Sequence, residues 1–277
     1  MPSDADAGLV EQRVLEASGR LPAAGAVTGW AAQRMLGVGY ADGLATDGRT
    51  VLPVPVVVPP GTALRASPGI EVHRERLDPT DVTRVYGVPV TTGVRATFDA
   101  ARRAAGLRNA VVAIDMAVAA NVVTLPTLRA YLATMSGWTG LPQARRAAEL
   151  ADPRSLSPRE TLLRLTWRLD AGLPEPRCNW PIANGSGRRI GRPDLLCEEL
   201  GVIGEYDGAD HRSQARHRDD LRRDDQFRAV GLEPFRVVGA DLHDKQLVVA
   251  RIRAAVERAR ASTTARTWLV KADPGPL

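Results

Sequence analysis

The feature that most constrains the fold is a pair of short apolar segments carrying acidic residues at alternating positions. It spans residues 191–208 and reads Gly-Arg-Pro-Asp-Leu-Leu-Cys-Glu-Glu-Leu-Gly-Val-Ile-Gly-Glu-Tyr-Asp-Gly. Two β-type runs flank residues 198–201, and this spacing predicts a β-hairpin closed by a four-residue loop. In that hairpin Cys197 pairs with Val202.

The predicted register gathers charged side chains on one side of the hairpin. Counting outward from the loop places Asp194 opposite Glu205 and Arg192 opposite Asp207. Because side chains alternate along a strand, one face carries Arg192, Asp194, Leu196, Ile203, Glu205 and Asp207. A one-residue shift would scatter this set between the two faces.

Crowded carboxylates of this kind predict a metal site. Like charges directly opposite each other destabilise a sheet by up to about 1 kcal/mol, so the group needs a cation or must keep one member protonated. Mg²⁺ prefers carboxylate oxygens together with water and phosphate, and Asp194, Glu205 and Asp207 are its expected ligands. The alternative is that Asp194 merely begins a strand and that Asp207 belongs to a turn.

A helix is predicted to begin just before the hairpin region, and Glu160 has two expected roles there. Ser157 fits the N-cap, Pro158 the first helical position and Glu160 the third, which is a capping box. Glu160 also lies on one helical stripe with Leu163 and Trp167, which places it toward the core. Glu160 is therefore either a helix cap or a fourth metal ligand, and the sequence favours neither.

The segment after the hairpin predicts a highly charged helix over residues 214–230. Its apolar residues Phe227 and Val230 define an inner stripe, and extending that stripe backwards reaches Arg223 and Asp220. Arg223 is expected to bind phosphate with Asp220 fixing its orientation; the alternative is a solvated helix held by weak ion pairs. His211 is a candidate for proton transfer or for positioning a water, although a lone histidine is more often a bystander.

The rest of the chain predicts two domains and a tail. Residues 1–152 read as a mixed, largely helical domain, with a short helix over 25–36, strands at 51–58 and 70–73, and helices over 94–150. A Pro- and Ser-rich boundary follows. Residues 153–262 then give the order helix, strand, strand, helix, strand, helix, with the last helix running from Asp241 to about Arg260. Residues 263–277 are expected to form a loose tail.

Composition limits the classes of partner and compartment. The net charge of +5 favours an acidic partner, with DNA as the first candidate. Two cysteines without zinc spacing argue against a disulfide framework or a zinc site. No signal peptide begins the chain and no apolar run is long enough to span a membrane. A cytoplasmic protein without membrane association is the expectation; the oligomeric state is left open.

These residues resemble the PD-(D/E)xK nuclease superfamily, in which acidic residues on adjacent strands bind Mg²⁺. Pro193-Asp194 and Glu205-Tyr206-Asp207 occupy that pattern. The chain is most similar to small endonuclease domains related to very-short-patch-repair endonucleases. The resemblance rests on Glu160, Asp194, Glu205-Tyr206-Asp207-Gly208, His211, Asp220-Leu221-Arg222-Arg223 and Gly231-Leu232-Glu233-Pro234-Phe235-Arg236-Val237. It implies an α/β, restriction-endonuclease-like core of helix, β-hairpin, helix, strand and helix.

The residues before position 153 resemble the AbiEi-antitoxin-like leader of actinobacterial proteins that carry this nuclease domain. The similarity rests on residues 27–32 and 88–92, and DNA recognition is one role it implies. One departure from the wider superfamily is that Asp207 stands where a lysine is usual. Lys245 and Lys271, the only lysines of the chain, are not placed to replace it.

The resemblance implies a DNA endonuclease that uses Mg²⁺, or Mn²⁺, to activate water and to stabilise the leaving oxygen. Its catalytic set would be Glu160, Asp194, Glu205, Asp207 and His211, with Arg192, Asp220 and Arg223 contacting the substrate. A second hypothesis is a non-catalytic nucleic-acid-binding regulator, or a type IV antitoxin-like protein, that retains the fold. A third is a partner-binding protein whose charged helix is only a solvated surface.

Overall fold

The structure, a computed structural model, is a mixed α/β protein with two compact units. It describes residues 9–65, 67–207, 214–239, 241 and 244–271, and for 214–221 the backbone alone. The first unit ends at Pro153 and the second begins at Arg154, one residue beyond the boundary expected from the sequence. No helix within the described ranges is long and apolar enough to cross a membrane.

The first unit combines a mixed β-sheet with helices. Its strands are β1 (Ala26–Val27), β2 (Val54–Val58), β3 (Ile70–Arg74), β4 (Val82–Val85) and β5 (Val88–Thr91). Its helices are α1 (Val10–Ser18), α2 (Gly29–Met35), α3 (Gly93–Arg103), α4 (Leu107–Ala119), α5 (Leu125–Thr134) and α6 (Leu141–Leu150). The strand order is β3-β2-β1-β5-β4, in which β1 runs parallel to β5 and β2 parallel to β3.

The helical pattern predicted over residues 94–150 is confirmed by α3 to α6, whose apolar residues form a buried interior. Phe98, Ile114 and Leu128, for example, are all completely buried. Two predicted boundaries were wrong. The helix expected over residues 25–36 begins only at Gly29, because Ala26 and Val27 pair with strands on both sides. Strand β2 begins at Val54 rather than at residue 51.

The second unit contains two small sheets and three helices among its described residues. Its helices are α7 (Pro158–Leu165), which continues as a π-helical turn (Thr166–Asp170), α8 (Gln214–Ala229) and α9 (Lys245–Ala261). Its strands are β6 (Arg177–Cys178), β7 (Ile182–Ala183), β8 (Arg189–Gly191), β9 (Leu195–Cys197), β10 (Val202–Asp207), β11 (Glu233–Val238) and β12 (Leu269–Val270). The strand orders are β11-β10-β9-β6 and β12-β7-β8.

The predicted hairpin is present, with β9 antiparallel to β10 and Cys197 opposite Val202. Alternation along its strands separates two cores, as the register requires. Leu196 and Ile203 pack with Phe227 of α8 on one face, whereas Cys197 and Val202 pack on the other face with residues of α7 and α9. Strand β11 adds to β10 in the parallel direction. The sheet is therefore covered by helices on both faces.

The predicted element order of this unit was incomplete, because the short strands β6, β7 and β8 precede the hairpin. The last helix begins at Lys245 rather than at Asp241, since the side chain of Asp244 caps it by accepting from the N–H groups of the second and third helical residues. The prediction of a loose tail over residues 263–277 was also wrong in part. Strand β12 pairs with β7, and the N–H of Thr267 donates to the carbonyl of Val230 at 3.0 Å.

Candidate active site

Asp194 stands at the end of the hairpin, immediately before β9, and is held by its neighbours on both sides. The last pair of the β9–β10 ladder is Leu195 with Gly204. Beyond this pair, the side chain of Asp194 makes the next hydrogen bond to β10, because its Oδ2 accepts the N–H of Tyr206 at 2.6 Å. The Asp194 carbonyl accepts the N–H of Asn179 at 3.1 Å. The carboxyl is thus fixed beside β10, next to Glu205, as the register predicted.

The environment of Asp194 disfavours its charge. Burial raises the pKa of its carboxyl from 3.8 to about 7, and the nearby negative charges of Glu160 and Glu205 act in the same direction. The N–H of Tyr206 and the charge of Arg223 oppose this rise without cancelling it. A carboxyl with such a pKa is partly protonated at neutral pH, and a cation bound there would stabilise its ionised form.

Glu205 is the second acidic group of the site, and two arginines neutralise it. The residue is only 9% exposed. Its Oε1 lies 2.6 Å from Nη2 of Arg223 on α8, and its Oε2 lies 3.2 Å from Nη2 of Arg236 on β11. Arg236 is also the partner of Glu205 in the parallel β10–β11 register, and it contacts Asp224 at 2.9 Å. Arg236 lies at the site, although the sequence analysis assigned it no role.

Arg223 points toward the carboxylate face, which confirms the orientation expected from the helical stripe. Its guanidinium lies 5.7 Å from the centre of the Phe227 ring, and its Nη2 is 3.5 Å from the carbonyl oxygen of Arg192. Gly191 allows this close approach, because a Cβ there would lie 3.1 Å from Nε of Arg223 and 2.7 Å from Phe227. The Arg223 side chain is still 36% exposed, so part of it faces solvent.

Glu160 performs the capping role and also lies near the acidic pair. Oγ of Ser157 accepts the N–H of Glu160 at 3.2 Å, and Oε2 of Glu160 accepts the N–H of Leu156 at 3.0 Å. The same Oε2 accepts from Nδ2 of Asn179 at 2.7 Å. Its charge contributes to the raised pKa of Asp194. The two roles considered for Glu160 are therefore compatible in space.

Asn179 links Glu160 to Asp194 and was missed by the sequence analysis. Its backbone donates to the carbonyl of Asp194, and its side chain donates to Glu160 and to the carbonyl of Arg154 at 2.8 Å. The residue has a left-handed backbone with φ of +55°, a conformation that asparagine tolerates better than most residues. Its position after the two-residue strand β6 gives no periodic pattern that could have revealed it.

The remaining predicted residues are placed less completely. Asp207 is the half-buried last residue of β10, opposite Val238 and two positions after Glu205, so the two carboxylates leave the strand on the same side. Arg192 is half-buried, and its carbonyl meets Arg223. His211 lies outside the described residues, as does the side chain of Asp220. In the structure it is Glu205 and Phe227 that orient Arg223.

Asp194 and Glu205 could together hold a divalent cation whose coordination shell is completed by water and phosphate oxygens. Within the described part of the chain, no three His, Cys, Asp or Glu side chains form a group that could hold a metal by themselves. Mg²⁺, however, commonly takes one or two carboxylates and completes its shell with water and phosphate oxygens. Asp194 and Glu205 supply two such carboxylates, and a bound cation would stabilise the ionised form of Asp194, whose pKa is raised by burial and by the neighbouring carboxylates. The donor set therefore fits Mg²⁺ bound together with a phosphate.

Comparisons with known proteins assign the chain to no family. No protein-family model, curated protein or solved structure matches it. The resemblance to the PD-(D/E)xK nucleases thus remains an interpretation of the motifs. A functional conclusion has to rest on the chemistry of Asp194, Glu205 and the arginines around them.

Proposed function

We propose that the second unit is a divalent-cation-dependent endonuclease that hydrolyses phosphodiester bonds in DNA. The observation that carries this proposal is the carboxyl of Asp194, which is half-buried near Glu160 and Glu205 and has its pKa raised to about 7. Perturbed acids of this kind are typical of catalytic and metal sites. The arginines beside them suit a phosphate group, because a guanidinium binds phosphate with paired hydrogen bonds.

The arrangement of the elements supports the same proposal. A helix precedes an antiparallel hairpin, a second helix follows it, and a strand parallel to the hairpin strand β10 and a third helix come next. This order resembles the restriction-endonuclease-like core that the motifs imply, with Asp194 directly before one hairpin strand and Glu205 on the other. A similar architecture alone is no evidence of a similar function. The proposal therefore rests on the charged groups around Asp194 and Glu205.

Asp194 and Glu205 would hold the cation, and Asp207 is positioned on the same strand to contribute. When bound, the cation would neutralise these carboxylates, polarise the phosphate and make a water molecule more acidic. Arg236 and Arg223 fix the Glu205 carboxylate from two sides. The solvent-facing part of Arg223 would contact the phosphate, while Asn179 keeps Glu160 and Asp194 in place.

The test is cleavage of supercoiled plasmid and of labelled mismatched duplex with Mg²⁺, with Mn²⁺ or with EDTA. The wild type is compared with Asp194→Asn and Glu205→Gln, which remove charge at nearly constant shape. Glu199→Gln is the matched control, because Glu199 is exposed in the loop at the opposite end of the same hairpin. We expect metal-dependent cleavage that falls at least about 100-fold in both site variants and is unchanged in the control.

A non-catalytic nucleic-acid-binding regulator is the second candidate, and the ion pairs of Glu205 favour it. Glu205 is already neutralised by two arginines, which reduces its need for a metal ion. A regulator would bind DNA equally well with EDTA, and Asp194→Asn would leave that binding unchanged. Intact binding with no cleavage under either metal would contradict the nuclease proposal and support this candidate.

A further inference from the structure

The first unit contains a cavity of about 330 Å³ that the nuclease proposal does not use. Residues of α2, α3 and α4 line it together with the segment from Leu44 to Pro53. Its volume lies at the small end of the range in which proteins bind small molecules. Most of its wall is apolar, including Trp30, Leu44, Leu52, Pro55 and Ala100, and a few polar groups interrupt that wall.

The aromatic part of the wall is rigidly held. Nε1 of Trp30 donates to the carbonyl of Pro53 at 3.1 Å, and the Arg13 guanidinium lies 5.5 Å from the Trp30 ring centre. Gly43 presses against the same ring, since a Cβ at that position would lie 2.5 Å from it. The indole is therefore a preformed flat surface against which a planar ligand can pack.

One polar group at the cavity is the fully buried carboxylate of Asp99, whose hydrogen-bonding capacity is already used. Its Oδ2 accepts from Oγ1 of Thr28 at 2.6 Å and from Nε of Arg95 at 3.0 Å. Its Oδ1 accepts from Nε of Arg102 at 2.7 Å. The charges of Arg103, Arg95 and Arg102 keep the pKa of Asp99 below its ordinary value in spite of burial. Asp99 therefore needs no hydrogen bond or positive charge from a ligand.

Arg103, in contrast, retains an unused donor. Its Nη2 contacts Glu75 at 2.6 Å and Asp99 at 3.6 Å, whereas its Nη1 is buried with no hydrogen-bond partner among the described residues. Burial and the neighbouring Arg102 charge lower the pKa of Arg103, although Asp99 and Glu75 oppose the change. A buried donor without a partner destabilises the folded chain, and more so when it is charged. An acceptor atom on a ligand would remove that cost.

Gln33 supplies the complementary group. The residue is 2% exposed and lines the cavity. Its Nε2 donates to the carbonyl of Ala113 at 3.1 Å and to Oγ1 of Thr97 at 3.3 Å, which fixes the amide orientation. No residue in the described ranges donates to its Oε1. Two residues that line the cavity thus have unused hydrogen-bonding capacity, a donor on Arg103 and an acceptor on Gln33.

We propose that this cavity binds a small neutral heteroaromatic ring that carries both a carbonyl acceptor and an N–H donor, as nucleobases do. The ring would pack on Trp30, its carbonyl would accept from Nη1 of Arg103, and its N–H would donate to Oε1 of Gln33. An anionic ring would lie near the Glu71 carboxylate at the cavity, and a cationic ring would lie against Arg103. Charge thus selects a neutral ligand.

The test is calorimetric titration of the full chain with hypoxanthine, benzoate and benzamidine, which are a neutral, an anionic and a cationic ring. Arg103→Met removes the donor, and Thr46→Trp fills the cavity from an exposed residue of its rim. Arg146→Met is the matched control, since Arg146 is 52% exposed and lies outside the cavity lining. Thermal unfolding of each variant verifies that it is folded.

We expect hypoxanthine alone to bind, at least about 10-fold more weakly to Arg103→Met and Thr46→Trp than to wild type and unchanged in Arg146→Met. The loss corresponds to one hydrogen bond with a charged group. Absence of binding, equal binding of benzoate or benzamidine, or binding that both variants leave intact would overturn the proposal. None of these readouts involves DNA or a divalent cation, so they are independent of the nuclease test.

Discussion

Asp194→Asn should stabilise the protein in the absence of divalent cations, and the gain should grow with pH. Below pH about 4 the carboxyl is protonated in both the folded and the unfolded chain, so the substitution changes little. Between that pH and about 7 the unfolded chain ionises while the folded carboxyl retains its proton. The free energy of unfolding of the wild type therefore falls through this interval and then levels off. The asparagine variant has no such loss.

The magnitude follows from the two pKa values of Asp194. The difference between about 7 and 3.8 corresponds to roughly 4 kcal/mol of lost stability at alkaline pH. Because the residue is not completely buried, solvent screening reduces this, and we expect a gain of roughly 2–4 kcal/mol in the variant at about pH 8. At about pH 5 the gain should be less than half as large. Asparagine keeps an oxygen that can accept the N–H of Tyr206, so the backbone contact survives.

Urea unfolding in EDTA at these two pH values measures the effect, with Glu199→Gln as the control for loss of one negative charge. Adding Mg²⁺ at the higher pH should stabilise the wild type and not the variant, since a ligand that binds only the folded state raises its stability. A gain in stability that is equal at both pH values would refute the raised pKa of Asp194. A variant that is less stable than the wild type at both pH values would refute it as well.

Substitutions at three other positions test further contacts of the structure. Asp99→Asn leaves the buried Arg95 and Arg102 and the half-buried Arg103 without their shared carboxylate, and urea unfolding should show a loss of roughly 3–5 kcal/mol; a loss below about 1 kcal/mol would contradict the network. Gly204→Ala places a Cβ 2.5 Å from Phe235, so thermal unfolding should reveal roughly 1–3 kcal/mol of overpacking, and an unchanged melting temperature would argue against that contact. Asn179→Ala and Asn179→Gly both lose the hydrogen bond to Glu160, but alanine also has a side chain at positive φ and should be less stable than glycine by about 1 kcal/mol. Equal stability of those two variants would mean that the backbone there is not left-handed.

The hairpin was predictable from the sequence because local rules decide it. The loop is four residues long and ends at Gly201, which has a φ of +67° that suits glycine. The alternation of apolar and acidic residues then fixes the register, and Cys197 opposite Val202 follows. The approach of Arg223 to this face was predictable for a similar reason, since helical spacing from Phe227 determines its side.

Contacts that depend on longer connections were not predictable in this way. Arg236 reaches Glu205 because β11 lies parallel to β10, and no local pattern specifies which strand a parallel crossover will pair with. Strands such as β6, β7 and β12 contain only two residues each, too few for a period of two to be visible. The segment with β12 consequently looked like a loose tail. Asn179 was missed because it follows one of these short strands.

The contrast between two aspartates gives the strongest physical argument for a ligand at the second unit. Asp99 is fully buried and Asp194 is half-buried, yet the pKa of Asp99 is lowered and that of Asp194 is raised. The protein supplies Asp99 with arginines of its own, as a structural carboxylate requires. No salt bridge joins Asp194 to any described residue, while two arginines within the same site are committed to Glu205. An aspartate without an ion-pair partner in such a place lowers the stability of the fold. That loss has an explanation if a bound cation supplies the missing positive charge.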